Sequence, residues 1–565
     1  MNIRLRYCVL MLAAIVAATL APAACAERGT APQTIEGLGT ISFPTSTKSA
    51  DAQTAFARGM LLLHLFEYED AAKSFRQAEK IDPGFAMAYW GEAMTNNHGI
   101  WNQLNAKAGR AALAKLAPTS VARAAKAPTA REKGYLAAVE ILYAQGGTKA
   151  QRDARYCDAM QRLAKEFPED NNAQLFYALA LLGRSEGVRD VPVYLRAGAI
   201  AERSFRVNPQ NPGAAHYWIH SMDDPQHAAG ALEAARALSK IAPDAGHAQH
   251  MTSHIFMALG MWDDVVTANE NSMRVVNAQA IAAGKPEVEC GHYDEWLEYA
   301  YFQQGRFREG ERALQACIKT IPPMLDWAKQ NAKILHAEHA SPEQIAKHMR
   351  GSLVTMRGTA LIESRDWNGA AAKLDVDAAD LGSDAAWNDF AIGYAAAERG
   401  DIAKAQQALA ALHAVREKNS TSEDDPQLPG YLAIMDDDLR GVVLIRQQHV
   451  EDGLAAIRQA ARRYDAMAFA FGPPVPLKPP HELLGEQLLK SAKPTQAIVE
   501  FEAALKKAPN RTLSLLGLAR AHTAAGDKNA ATATYRQLLK IWHAADADLP
   551  ALAEARKFVV ESPHG

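Results

Sequence analysis

The chain has 565 residues, with 61 Lys and Arg against 64 Asp and Glu, a net charge of −3 and the two signs interspersed. No basic block stands out, which argues against nucleic acid as a partner. Cysteine is too sparse for a disulfide framework, and a composition rich in Ala and poor in β-branched runs favours helices.

Residues 1–26 read as a secretion signal. Arg4 and Arg6 make a charged start, Val9 to Leu20 form an apolar run, and Ala24-Cys25-Ala26 offers an A-x-A cleavage site before Glu27. The run falls short of the ~20 residues that span a bilayer, so no transmembrane span is expected after signal removal. The predicted location is periplasmic or secreted. The alternative is a lipoprotein anchored through Cys25, but Pro22 stands where such a box usually carries Leu. Cleavage leaves Cys157, Cys290 and Cys317. One bridge among them suits an oxidising compartment, and the sequence does not select the pair.

Beyond the signal, 27–50 is polar and predicted as a flexible leader. Helix-pair units follow at 51–102, then irregular helical pairs at 103–208, with Pro118 and Pro128 among Ala and Lys. Histidine-rich units occupy 209–322, and an irregular helical insertion fills 323–385. Repeat-like units at 386–465 lead to a break at 466–480, where Pro473-Pro474 and Pro479-Pro480 cannot continue a helix. Further units and a terminal capping helix take up 481–565.

The sharpest pattern lies within the histidine-rich units. His216 and His220 stand four residues apart, as do His250 and His254, so each pair projects from one face of its helix. The first pair precedes the second by 34 residues, an offset shared by Pro209 and Pro243 and by Ala214 and Ala248. Helices related by such a repeat pack about 8–10 Å apart, close enough for four imidazoles to converge.

Gly59, Ala71, Phe75, Ala78 and Pro83 carry a family resemblance. Counted from Ala52 they fall at the small, aromatic and helix-ending positions of the 34-residue tetratricopeptide repeat (TPR), and the chain resembles that superfamily over most of 52–540. The stretches HLFEYEDAAKSFRQAEKIDP (64–83), AMAYWGEAMTNNH (86–98), HYWIHSMDDPQHA (216–228), HAQHMTSHIFMALGMWDD (247–264) and PNRTLSLLGLARA (509–521) further resemble large exported bacterial TPR proteins of poorly defined function. The resemblance implies an all-α, TPR-type α-solenoid: a right-handed superhelix of helix pairs with irregular helical insertions, whose first helices line a concave groove. In that register His216, His220, His250 and His254 face the groove. So do His247, His292, Glu295, His64 and His98.

Neutral imidazole is a good ligand for zinc, copper or iron. The predicted metal ligands are His216, His220, His250 and His254, with His247, His292, Glu295, Asp224, His64 and His98 as additional or outer groups. Asp223, Asp244 and Asp294 are further candidates to orient ring nitrogens. Cys290 would suit a softer metal if reduced. Against this stands a plain TPR scaffold, whose polar groove binds a protein or peptide partner without metal. A third reading is a metal-dependent enzyme with Glu295 or Asp224 as base. Trp90, Trp101, Trp218 and Trp296 serve either a ligand groove or packing. His481-Glu482 begins like a zinc-protease helix, but Gly485 stands where the second His belongs.

Overall fold

The computed structural model describes residues 32–337, 340–422 and 425–561; the predicted signal at 1–26 lies outside them. The architecture is a run of antiparallel helix pairs, from Ala50–His64 with Tyr68–Ile81 to Thr512–Ala525 with Lys528–Ile541. Among the described residues, strands occur only as two short hairpins, Gln33–Ile35 with Gly39–Ile41 and Asn97–His98 with Gln103–Leu104.

The packing of the first pair explains the repeat signature. Ala71, Phe75 and Ala78 lie on one face of their helix and are fully buried. The Phe75 ring fills the space left by two glycines, since a Cβ built on Gly59 or Gly91 would come within 2.7 or 2.4 Å of it. Three helices therefore close on one aromatic ring, which burial of a Phe side chain favours by roughly 1.5–3 kcal/mol. Asp82 then turns extended and ends the helix before Pro83.

Two sequence expectations need correction. Residues 33–49, predicted as a flexible leader, form a strap pinned across later helix starts. Thr40 N donates to Gln210 O, Asn208 Nδ2 to Thr40 O and Asn172 Nδ2 to Ser42 O, while Leu38, Ile41 and Phe43 are buried. The unit boundary expected at 322 is also absent, because helix Phe307–Gln330 runs through Pro322 and Pro323. Both prolines are exposed, so water can satisfy the carbonyls left without an intrahelical partner.

The array turns back on itself. Asn510 O accepts from Trp262 Nε1 at 2.9 Å, Thr512 N donates to Gln303 Oε1, and Trp542 Nε1 donates to Gln303 O. The N-terminal helix reaches the histidine-rich units as well. His64 bonds the Tyr217 hydroxyl at 2.9 Å, and Gly213 lets them approach, for a Cβ there would lie 2.5 Å from the His64 ring. A disulfide joins Cys290 to Cys317, which withdraws Cys290 from the candidate metal ligands. Among the described residues Cys157 is free, and it is buried. No helix of the described residues is long and apolar enough to cross a membrane.

Candidate metal centre

Three first helices of successive units build the site. Pro212–Met222 starts on Asn211, whose side chain accepts from Gly213 N, with Pro212 supplying a preformed φ. Gly246–Ala258 and His292–Gln303 follow, and each projects its histidines inward. The rings form a continuous series. Centroids are 4.9 Å apart for His216 and His220, 5.3 Å for His220 and His254, 5.2 Å for His254 and His250, and 4.7 Å for His250 and His292. His247 adjoins His216 at 5.2 Å. His216, His220, His250 and His254 are buried, His247 is half-buried and His292 is exposed.

The hydrogen bonds fix which nitrogens face inward. His216 Nδ1 donates to the backbone carbonyl of His64 at 2.7 Å, and a carbonyl can only accept. His254 Nδ1 donates to Asp223 Oδ2 at 2.9 Å, and His250 Nδ1 meets Asn269 Oδ1 at 2.7 Å. Each ring therefore keeps its proton on Nδ1 and a lone pair on Nε2. His247 Nδ1 lies 3.3 Å from the Tyr293 hydroxyl. The Nε2 atoms of His216, His220 and His247 are buried and have no hydrogen-bond partner among the described residues. Those of His250 and His292 face each other at 3.1 Å.

Ligand atoms fall into two separate triads, each within 4.8 Å: His216, His220 and His247, then His250, His254 and His292. The four histidines singled out by spacing are thus divided between two sets, and of the six additional or outer groups two complete them, His247 the first and His292 the second. A third group, His220, Asp223 and His254, is a hydrogen-bonded arrangement, because there the carboxylate meets His254 Nδ1.

Electrostatics keep His216, His247, His250 and His254 neutral. Burial, followed by repulsion between neighbouring imidazoles, holds His216, His247 and His250 well below the ordinary histidine value. Burial also lowers His254, although Asp223 pulls the other way. Burial alone would raise the Asp223 carboxyl; Arg189, His220 and His254 hold it below the usual carboxylate range. Arg189 Nη1 donates to Asp223 Oδ1 at 2.5 Å, and its Nε and Nη2 donate to Asp224. Those bonds orient the carboxylate that orients His254.

Aromatic rings wall the centre. Phe66 lies 4.3 Å from His216 and 5.7 Å from His247, Trp296 stacks on His254 at 4.6 Å, and Phe471 lies 4.9 Å from His254. Phe66 adopts φ +60°, a left-handed conformation that costs a bulky residue energy and recurs at functional sites.

The other candidates are engaged elsewhere. His64 uses both nitrogens, on Tyr217 and Asn172, and serves the centre through its backbone carbonyl. His98 stacks on Tyr68 and bonds Thr95 O. Asp224 is held by Arg189 and His227. Glu295 bonds Ser352, and burial raises its carboxyl to about 7. Asp244 is exposed, whereas Asp294 is buried and its carboxyl raised by that burial. Spacing gave no sign of Asn269, Arg189, Phe66 or Phe471. The position of Asn269 on the second helix of the His250 unit is the one signal that could have found it.

The family model described as tetratricopeptide repeat matches residues 52–85. Among solved structures, human IFIT1 with m7Gppp-AAAA is 14% identical, with 89% of this chain and 92% of that chain covered at a TM-score of 0.32. The APC/C hetero-tetramer Cut9–Hcn1 is 11% identical, with 91% and 78% covered at 0.32. Yeast Tom70 is 10% identical, with 91% and 90% covered at 0.27. No curated protein matches the sequence.

Proposed function

We propose that this tetratricopeptide-repeat chain binds transition-metal ions through the histidines of 209–322, one ion to each triad. The observation that carries the reading is the set of three buried Nε2 atoms, on His216, His220 and His247, with no hydrogen-bond partner among the described residues. A buried polar atom left unsatisfied costs about 1–3 kcal/mol, and a metal ion accepting the lone pairs would remove that cost. Neutral nitrogen donors without thiolate suit zinc, copper or iron. Three protein ligands leave a fourth coordination position, the arrangement of catalytic rather than structural sites. This favours metal-dependent chemistry over a structural ion. The histidines are poorly suited to reading a peptide, since most are buried behind Phe66, Trp296 and Phe471; a protein partner would bind elsewhere on the scaffold.

The predicted export agrees with the Cys290–Cys317 bridge, which suits an oxidising compartment. N-terminal sequencing of the mature protein tests it: a start near Glu27 supports export, and an acylated Cys25 replaces it by a lipoprotein. For the metal, the test is elemental analysis of the protein purified from its native compartment. Wild type should carry up to two ions per chain, and His216→Ala or His250→Ala should each lose one. A variant lacking His216, His220, His250 and His254 that carries as much metal as wild type would end the proposal.

A further inference from the structure

Beside the centre lies a cavity of about 540 Å3, between the His254 helix and the C-terminal units where 466–480 crosses them. That volume lies in the range of sites that enclose a small organic molecule. His254 belongs both to the second triad and to the cavity wall. Trp262, Tyr464 and Phe469 contribute flat rings, and Met257, Met467 and Val475 extend the apolar lining.

Most charges around it are already matched. Arg189 is taken by Asp223 and Asp224, while His481 is held by Asp465 and Glu500. Lys507 pairs with Asp465 at 3.2 Å and lies 4.4 Å over the Tyr464 ring. Two of the remaining polar groups can serve an anion as donors. Lys506 lines the cavity with an exposed ammonium that none of the ion pairs among the described residues takes up. Tyr431 also lines it, is buried at 6% exposure, and its hydroxyl has no hydrogen-bond partner among the described residues.

We propose that this cavity binds a small aromatic carboxylate, its ring among Trp262, Tyr464 and Phe469 and its oxygens taking the Tyr431 hydroxyl and the Lys506 ammonium. The rings favour a flat apolar body, because aromatic pairs gain beyond simple area burial. A ligand without an acceptor would leave the Tyr431 hydroxyl unsatisfied, and a cationic one would face Lys506. A molecule held here lies against His254, a member of the second triad. Binding itself belongs to the cavity and does not require the metal.

The test uses 2-naphthoate as probe, titrated by calorimetry into the full chain in zinc-loaded and metal-free forms. Both forms should bind it, and the naphthyl-methylammonium analogue should not. Tyr431→Phe should weaken binding about tenfold or more, since a hydrogen bond to a charged partner is removed. Ala468→Trp, in the non-helical lining segment, should fill the cavity and abolish binding while the circular dichroism melt stays intact. If that variant fails to fold, Tyr431→Phe carries the test alone. No naphthoate binding by wild type, or equal binding by wild type and Tyr431→Phe, overturns the proposal. A chain that binds naphthoate but no metal removes the metal centre and leaves the cavity; a chain that binds metal but no naphthoate does the reverse.

Discussion

Asp223→Asn isolates the link between the outer groups and the second triad. The two oxygens of Asp223 each accept from a different donor, Oδ1 from Arg189 and Oδ2 from His254 Nδ1. Asparagine has nearly the same shape but only one acceptor oxygen, so one of the two donors must face an NH2 group. Arg189 cannot lose its protons, so the amide oxygen turns to it. His254 then meets an NH2 donor and is driven to carry its proton on Nε2, the nitrogen that the metal needs. Loss of such an outer partner typically costs 10–100-fold in metal affinity, or about 1.4–2.8 kcal/mol. Arg189 keeps its bonds to Asp224 at 3.1 and 2.8 Å, so the fold should survive with a modest loss of stability. Zinc titration against a competing chelator should reveal one ion weakened by that factor and the ion on His216, His220 and His247, where Asp223 only neighbours His220 at 3.7 Å, weakened less. If both affinities in folded Asp223→Asn match wild type, Asp223 does not orient a ligand and the assignment of the second triad is wrong.

Gly213→Ala should destabilise the protein by about 1–3 kcal/mol in chemical denaturation, because its Cβ would lie 2.5 Å from the His64 ring in a packed interior. An unchanged midpoint would mean that the N-terminal helix does not dock there. Stability should also depend on pH through His481. Burial lowers its value, but Glu500 and Asp465 outweigh that and leave it raised. Its contribution is therefore complete below the ordinary value of about 6.5 and lost as pH rises through the folded value. Between pH 6 and 8 wild type should lose more stability than His481→Gln, and parallel curves would refute the pairing.

How much could be read from the chain follows the range of the interactions. The helix pairs were legible because Gly59, Ala71, Phe75 and Ala78 encode a local packing unit that repeats. The inward face of His216, His220, His250 and His254 was legible because one helical turn and one repeat are both local periods. The sorting into triads was not, since it depends on the angles at which three helices cross. Nor was the role of 466–480: its prolines announce a break, but nothing local says that Phe471 will pack on His220 and His254. The pinned strap at 33–49 escaped for the same reason. Its partners Gln210, Asn208 and Asn172 lie more than a hundred residues away, and a polar composition resembles a flexible tail until those partners are known.

The centre as folded also carries a cost, and that cost yields a prediction of opposite sign. His220 Nε2 is buried without a partner, and its Nδ1 lies 3.7 Å from Asp223, too far for a hydrogen bond. The side chain thus sits among Phe66, His216, His254 and Phe471, with the Asp223 carboxylate 3.7 Å from Nδ1 as its polar neighbour and nothing at Nε2 among the described residues. Replacing an unsatisfied polar group by an apolar one of similar size is neutral or stabilising. His220→Leu should therefore raise the stability of the metal-free protein by about 1–3 kcal/mol, in contrast to the usual loss at a buried position. In the presence of zinc that lead should shrink, and at a large excess of metal reverse. Each bound ion adds about 2.7 kcal/mol at a hundredfold excess over Kd and about 4.1 kcal/mol at a thousandfold, and the variant loses the ion owed to the first triad. Thermal melts of both proteins with chelator and with zinc measure the four states. A metal-free His220→Leu protein less stable than wild type would mean that the imidazole has a partner in the folded chain, and the argument from orphaned nitrogens would fail.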